Sequence, residues 1–222
     1  MPTATPTDRA TIARQGDRIV LENGQLAATL STDGSLLALL HKASGRQVLA
    51  GTANQLLLYD DHPTAWDAWD IDAFALETAR PCCPASSCAV VTESPLRIEV
   101  EYIRSLGKAS SMTQRVRLDA GAQRLEFHTW VDWRESEQML KVAFPVAIRA
   151  PLATYEMQFG HAERPTHYNT SFDLARFEVP GHRWVDLSEH GFGVALLTDC
   201  KYGYHTVGDT MHITLLRATR SP

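Results

Sequence analysis

The sequence predicts an all-β protein, one large antiparallel β-sandwich, and three observations predict it. Apolar and polar residues alternate with period two, as in RLEFHTWVDW, where Leu125, Phe127, Val131 and Trp133 alternate with Glu126, His128 and Asp132. Turn dipeptides separate such stretches at Asn23-Gly24, Asp33-Gly34, Ser44-Gly45, Ala120-Gly121 and Gly208-Asp209. No stretch keeps a helical period through three turns. Many strands at short spacing imply a sandwich or a barrel, and the number of long strands favours two large sheets.

The strands are expected in this order. Runs at 18–22, 25–31 and 35–40 are joined by Asn23-Gly24 and Asp33-Gly34, residues that tolerate the left-handed backbone of tight hairpins. A run at 54–59 follows Ser44-Gly45, and another spans 87–93. In PLRIEVEYIR, Ile98, Val100 and Tyr102 share one face while Arg97, Glu99 and Glu101 share the other, which is the pattern of a sheet with one dry and one wet face. The run 110–118 leads through Ala120-Gly121 into RLEFHTWVDW. In QMLKVAFPV, Leu140, Val142, Phe144 and Val146 alternate with Lys141 and Pro145, and a proline without an N–H suggests an edge or a bulge. Strands at 152–158, 192–198 and 210–217 complete the set.

Of 222 residues, 44% are hydrophobic and 21% charged, a globular composition long enough for one large domain. Residues 18–222 are expected to form that domain, and residues 1–17, which lack an apolar signal core, read as a disordered leader or linker. A net charge of −5 and a pI near 6.0 give no basis for nucleic-acid binding. No apolar run approaches the ~20 residues of a membrane span. Cys82, Cys83, Cys88 and Cys200 show no paired zinc spacing and read as free thiols of a reducing compartment, so the expected location is cytoplasmic.

Two stretches interrupt the alternation. The first holds LYDDHPTAWDAWDID, residues 58–72, with five aspartates, two tryptophans and a histidine. The second, 159–191, is long for a connection without regular structure, and such loops are usually functional. Asp67, Asp70 and Asp72 could stand at the spacing of a glycosidase carboxylate pair, but loop carboxylates more often hold turns. Asp60, Asp61 and His62 resemble a hard-ligand cluster, yet neither the spacing of an EF-hand nor HExxH is present. A Ser-His-Asp arrangement has no GxSxG to support it. Carbohydrate contact is better supported. Trp66 and Trp69 offer flat apolar faces to a sugar ring, and Asp67 and Asp70 can accept from vicinal hydroxyls. The alternative is that both indoles plug a core.

Beyond these readings, the strings DDHPTAWDAWDID, VDWRES, MLKVAFPV, ATYEMQFGHAERPTHYNTSFDLARFEVPGHRWVDLSE, GFGVALLTDCKYGY and LLRATRSP resemble, in order from about Asn23 to the end, the C-terminal β-region of family 38 glycoside hydrolases, the α-mannosidases. The resemblance implies a large sandwich of the galactose-mutarotase type. In an intact enzyme that region would pack on a catalytic domain carrying zinc and an aspartate nucleophile. None of that domain's motifs occurs in this chain, so no catalytic residue, metal ligand or cofactor is assigned here, and zinc is expected in the missing domain. Both ends look like cuts, with the domain truncated after LLRATRSP. The implied partners are an α-mannoside and the catalytic domain of the same protein. The residues expected at the substrate are Trp66, Asp67, Trp69 and Asp70 in the first loop, and Arg164, His167, Tyr168 and Asn169 in the second. Arg176, Glu178 and Asp186 are expected to brace. A sugar contact should be exposed in the isolated domain and a brace buried. The chain alone is expected to be inactive as an enzyme, and the competing reading is a free-standing carbohydrate-binding module.

Overall fold

A computed structural model describes residues 8–219, and every strand pair among them is antiparallel. In chain order the elements are β1 (Thr11–Gln15), β2 (Arg18–Glu22), β3 (Leu26–Ser31), β4 (Leu36–His41), β5 (Arg46–Gln47) and β6 (Gln55–Asp60), then a 3-10 helix over Ala73–Thr78. There follow β7 (Arg80–Pro81), β8 (Ser87–Ser94), β9 (Arg97–Leu106), β10 (Ser110–Asp119), β11 (Glu126–Asp132), β12 (Gln138–Pro145), β13 (Leu152–Met157) and β14 (Gly160–Pro165). A single helical turn, α1 (Ser171–Leu174), precedes β15 (Val179–Pro180), β16 (Trp184–Glu189), β17 (Phe192–Leu197), β18 (Gly203–Val207) and β19 (Thr210–Arg217).

The all-β class holds, but the expected large two-sheet sandwich, and the mutarotase-type sandwich implied by the resemblance, do not. The strands form four separate sheets of five, four, six and four strands. Period two tells which face of a strand is dry. It does not tell which sheet the strand joins: short turns close β1 to β5 and β8 to β11 into two small sheets, while the six-stranded sheet pairs strands far apart in the chain, such as β6 and β12. The stretch 159–191 is also not a bare loop, since it contains β14, α1, β15 and β16. β1 lies within the stretch 1–17 expected as a leader. Residues 1–7 of that stretch, and the expected truncation at 220–222, fall outside the described residues.

Two compact units divide the chain. The first is formed by the chain up to Asn54 together with Cys82–Arg134. It holds the meander β1-β2-β3-β4-β5 and the sheet β11-β10-β9-β8. Ile98, Val100, Tyr102 and Leu106 of β9, with Met112, Val116 and Leu118 of β10, are all but inaccessible. Each such side chain contributes about 1.5–3 kcal/mol by leaving water. Arg104 sits in the same buried row, its Nη2 donating to the Asp33 carbonyl at 3.1 Å. Gly34 makes room for it. The residue has φ +91°, which favours glycine, and a Cβ there would stand 1.9 Å from Arg104 Nη2, so the guanidinium would have to shift.

The second unit comprises Gln55–Pro81 and the chain from Glu135 onward. Its sheets are β15-β18-β19-β12-β6-β7 and β14-β13-β16-β17. On one face of the six-stranded sheet lie Leu56, Leu58, Leu140, Val142, Phe144, Met211 and Ile213, all buried. Tyr204, from the same face, meets Tyr155 of β13 edge-on at 5.9 Å between ring centroids. Pro145 ends β12 beyond Ala143, the last residue paired with β6, so its missing N–H costs no bond on that side. Lys141, whose alternation places it on a wet face, is 1% exposed. The second face of this sheet is therefore covered too.

Candidate functional site

The covering is polar. Antiparallel register places Lys141 of β12 opposite Thr214 of β19, Ala143 opposite His212, and His212 opposite His205 of β18. These residues share the face that also carries Tyr59 of β6, opposite Met139. The Lys141 ammonium donates to Glu178 Oε2 and, at 2.8 Å, to Thr214 Oγ1. The Thr214 hydroxyl in turn donates to Glu178 Oε1 at 2.5 Å. Lys141 Nζ also lies 5.9 Å from the Tyr59 ring centre. Glu178 is thus held by Lys141 and Thr214. Asp186 accepts from Ser188, and Arg176 is exposed.

Burial lowers the pKa of Lys141, and the neighbouring Glu178 opposes that shift. Burial likewise pushes the phenols of Tyr59 and Tyr168 up to about 12, with Glu178 adding to it. His205 is lowered by burial and by Lys141. His212 is lowered to about 3 by burial, then by His205 and Lys141. Both histidines are thus neutral in the folded state near pH 6.5 and charged only in unfolded chains. Below the unfolded histidine pKa the unfolded state binds more protons, so stability is full above about pH 6.5 and falls as pH drops toward the folded values. The expected slope from His212 is about 1.4 kcal/mol per pH unit within that window. Urea titrations of wild type and His212→Gln at pH 7 and pH 5 test this, and equal losses in the two proteins would refute it.

The first loop leaves β6 at Asp60 and is tied down at three points. Arg217 of β19 donates from Nε to Asp61 Oδ2 at 2.6 Å and from Nη2 to Asp61 Oδ1 at 3.2 Å. The same Nη2 donates to the Asp70 carbonyl. Thr64 donates its backbone N–H and its hydroxyl to Asp72 Oδ2 at 2.7 and 2.8 Å. Between these ties the chain turns at Trp66, whose φ is +58° and whose carbonyl accepts from Trp69 N–H at 2.7 Å and Asp70 N–H at 2.9 Å. The turn brings Trp66, Asp67, Trp69 and Asp70 together and leaves the indoles 75% and 82% exposed, so they do not plug a core in this chain. Asp67 is half-buried and Asp70 exposed.

The aspartates proposed for other chemistry are occupied differently. Asp60 accepts from the Gln138 amide at 2.7 Å and from Arg80 at 2.8 Å, and these hold its carboxyl below the usual range. Asp61 is taken by Arg217, and His62 faces Glu137 at 3.2 Å. The supposed hard-ligand cluster therefore points at four separate partners, Gln138, Arg80, Arg217 and Glu137. Among the described residues no three His, Cys, Asp or Glu side chains converge to hold a metal ion.

The second set of residues is split. Arg164 lies on β14, its guanidinium 5.8 Å from the Tyr155 ring centre and its Nε buried without a partner. His167, Tyr168 and Asn169 follow the strand and precede α1, which Thr170 and Asp173 start with a reciprocal capping box. His167 Nδ1 accepts from Asn169 N–H at 3.4 Å. Tyr168, 37% exposed, reaches back to His205 with its hydroxyl. Sequence reasoning missed Arg217, Lys141, His205 and His212 as members of this region. For the histidines a signal existed. With Gly208-Asp209 as a two-residue turn, Val207 pairs with Thr210 and His205 must face His212.

Comparison with known proteins decides the family. The family profile described as "Glycosyl hydrolases family 38 C-terminal domain" matches residues 21–222. The chain belongs to this family. Alpha-mannosidase 2C1 of Homo sapiens is 48% identical to it over 207 residues, covering 92% of this chain and 20% of that protein. Alpha-mannosidase G of Dictyostelium discoideum is 42% identical over 211 residues, again 92% of this chain and 19% of that protein. Among solved structures, an alpha-mannosidase from Enterococcus faecalis V583 superposes with a TM-score of 0.74 at 13% identity, over 94% of this chain and 26% of that one, a likeness of fold. The chain thus spans about one fifth of the length of the curated relatives it matches. As a family-38 C-terminal domain, it places both sets of expected residues in its second unit. No helix among the described residues is long and apolar enough to cross a membrane.

Proposed function

We propose that this domain serves a family-38 α-mannosidase by lending a sugar-facing rim and by packing on the zinc-dependent catalytic domain of the same protein. The observation that carries the reading is the first loop. It is fixed by Asp61, Thr64 and Asp72, yet it holds Trp66 75% and Trp69 82% open to water. A rigid loop that exposes two indoles beside two carboxylates suits the apolar face and the vicinal hydroxyls of a pyranose. Tyr168 and Asn169, both exposed, are the contacts we assign to the second segment, with His167 beside them. Arg164 fits a bracing role better, because its guanidinium is turned onto Tyr155. Phe74, Phe159, Phe172, Leu197 and Tyr202 are also exposed, which accords with surface meant for more polypeptide. Among the described residues no disulfide joins Cys82, Cys83, Cys88 and Cys200, which accords with a cytoplasmic setting.

Titration with methyl α-mannoside, followed through the indole N–H signals, tests the rim. Trp66 and Trp69 signals are expected to shift, and Trp66→Ala or Trp69→Ala to abolish binding without loss of fold. A flat titration of a folded chain would reassign the indoles to domain docking. The chain by itself is expected to leave an aryl α-mannoside unhydrolysed in zinc-replete buffer. Turnover above background would overturn the division of labour.

A further inference from the structure

Each of the four sheets ends in two edge strands, and an edge strand offers unpaired N–H and C=O groups to any chain that meets it. Among the described residues, all these edges but one are guarded. β5, β7 and β15 are two residues long, and β7 and β15 end in Pro81 and Pro180. β8 is broken by a bulge between Val90 and Thr92. β1, β11 and β14 expose charge at Arg14, Asp132 and Glu163. β17 has none of these devices. Its six residues, FGVALL, contain no charge, no proline and no bulge. The Thr198 N–H donates to the Arg183 carbonyl at 2.8 Å, and the bonds of an antiparallel pair skip every second residue. Val194 and Leu196 are therefore tied to β16. Gly193, Ala195 and Leu197 turn both backbone groups toward the open edge, where no group among the described residues bonds to them.

We propose that this edge pairs with the same edge of a second copy of the chain, antiparallel about a two-fold axis at Ala195. The strand itself sets the register. Only with Ala195 opposite Ala195 do all three outward residues find partners, Gly193 facing Leu197 of the second copy and the reverse. Glycine at that place leaves room for the leucine, which stands 67% exposed in the single chain. Val194 and Leu196, half-buried on the dry face, then face Leu196 and Val194 of the second copy and extend the row begun by the buried Val185 and Leu187. An uncharged strand sets no like charges opposite each other. β17 is thus complementary to itself in shape and in charge, and a second copy is the occupant it fits. One strand seam covers less than the roughly 1,600 Å² of a standard interface, so the pairing is reversible and depends on concentration. It uses neither sugar segment and stands whether or not the rim binds mannoside.

Sedimentation of the full 222-residue chain, with a thiol reductant present so that no disulfide joins copies, is expected to show monomer and dimer exchanging with concentration. Over the same range amide exchange at Gly193, Ala195 and Leu197 should slow, while Val194 and Leu196, already paired to β16, stay unchanged. Ala195→Pro removes an outward N–H that β16 does not use, and Ala195→Lys sets two ammonium groups face to face. Each variant should be folded and monomeric. Mixed with Ala195→Glu, the Ala195→Lys chain should pair again, a recovery that requires the two positions 195 to be opposite each other. A wild type that stays monomeric at every concentration, a dimer that survives Ala195→Pro, or lysine and glutamate variants that do not restore each other would overturn the assignment. So would slow exchange at the three outward amides that does not change on dilution. Should Ala195→Pro fail to fold, the lysine–glutamate mixture decides the matter.

Discussion

Lys141→Met is expected to destabilise the protein by about 3–5 kcal/mol, the usual cost of removing one partner of a buried ion pair. Lys141 is 1% exposed at its side chain and Glu178 is 13% exposed. Methionine fills nearly the same volume, so cavity formation is not the main loss. What is lost is the donor to Glu178 Oε2 and to Thr214 Oγ1, which leaves a carboxylate out of water with only the Thr214 hydroxyl to answer it. Thr214→Val removes one neutral donor and should cost only about 1 kcal/mol. The double variant Lys141→Met, Glu178→Leu should recover most of the stability, because two apolar groups of similar size need no pairing. Urea unfolding reads all three as shifts in midpoint at constant slope. A Lys141→Met midpoint within the error of wild type would mean that Glu178 reaches water in the folded state, and that the pair is not what fixes the segment before β15.

Lys141 also marks the limit of what the sequence could tell. Alternation in MLKVAFPV correctly makes a strand with Leu140 and Val142 on a dry face, and it correctly puts Lys141 on the other. It cannot say that the other face is covered, because the cover comes from residues 166–178, outside the strand. The same reason hid the sheet count. Period two and turn dipeptides located most strands within one or two residues, including β9, β10 and β12, but they are local. The division into four sheets depends on pairings such as β6 with β12, far apart along the chain. GHAERP of β14 carries charge and little apolar alternation, whereas in β16 only Val185 and Leu187 alternate with Asp186 and Ser188, a signal too short to stand out inside a long polar stretch. The two site regions were visible by composition, as dense polar and aromatic stretches. The side chains that fix them were not. Arg217 and Asp61 are 156 residues apart, and nothing in either neighbourhood announces the other.

Asp61→Ala is expected to do two things at once, and the pairing of the two is the prediction. Asp61 is 1% exposed and takes Arg217 in a two-point contact at 2.6 and 3.2 Å. Its loss strands a guanidinium that is itself 15% exposed, so stability should fall by about 3 kcal/mol. The freed guanidinium no longer has a fixed orientation for the Asp70 carbonyl, so the tryptophan turn loses its tie to β19. The indole signals of Trp66 and Trp69 should then sharpen toward those of a mobile loop, and mannoside binding should weaken although no proposed sugar contact has been touched. Arg217→Lys should give a milder version of both effects, because an ammonium cannot reproduce the two-point geometry. Trp66→Ala should do the reverse. The ring is 75% exposed, so stability should hold within about 0.5 kcal/mol while binding is lost. A residue that moves stability and order is a brace, and one that moves binding alone is a contact. If Asp61→Ala unfolds no earlier than wild type and leaves the indole signals in place, the Thr64–Asp72 clamp holds the loop unaided, and the rigidity attributed to Arg217 belongs to that clamp.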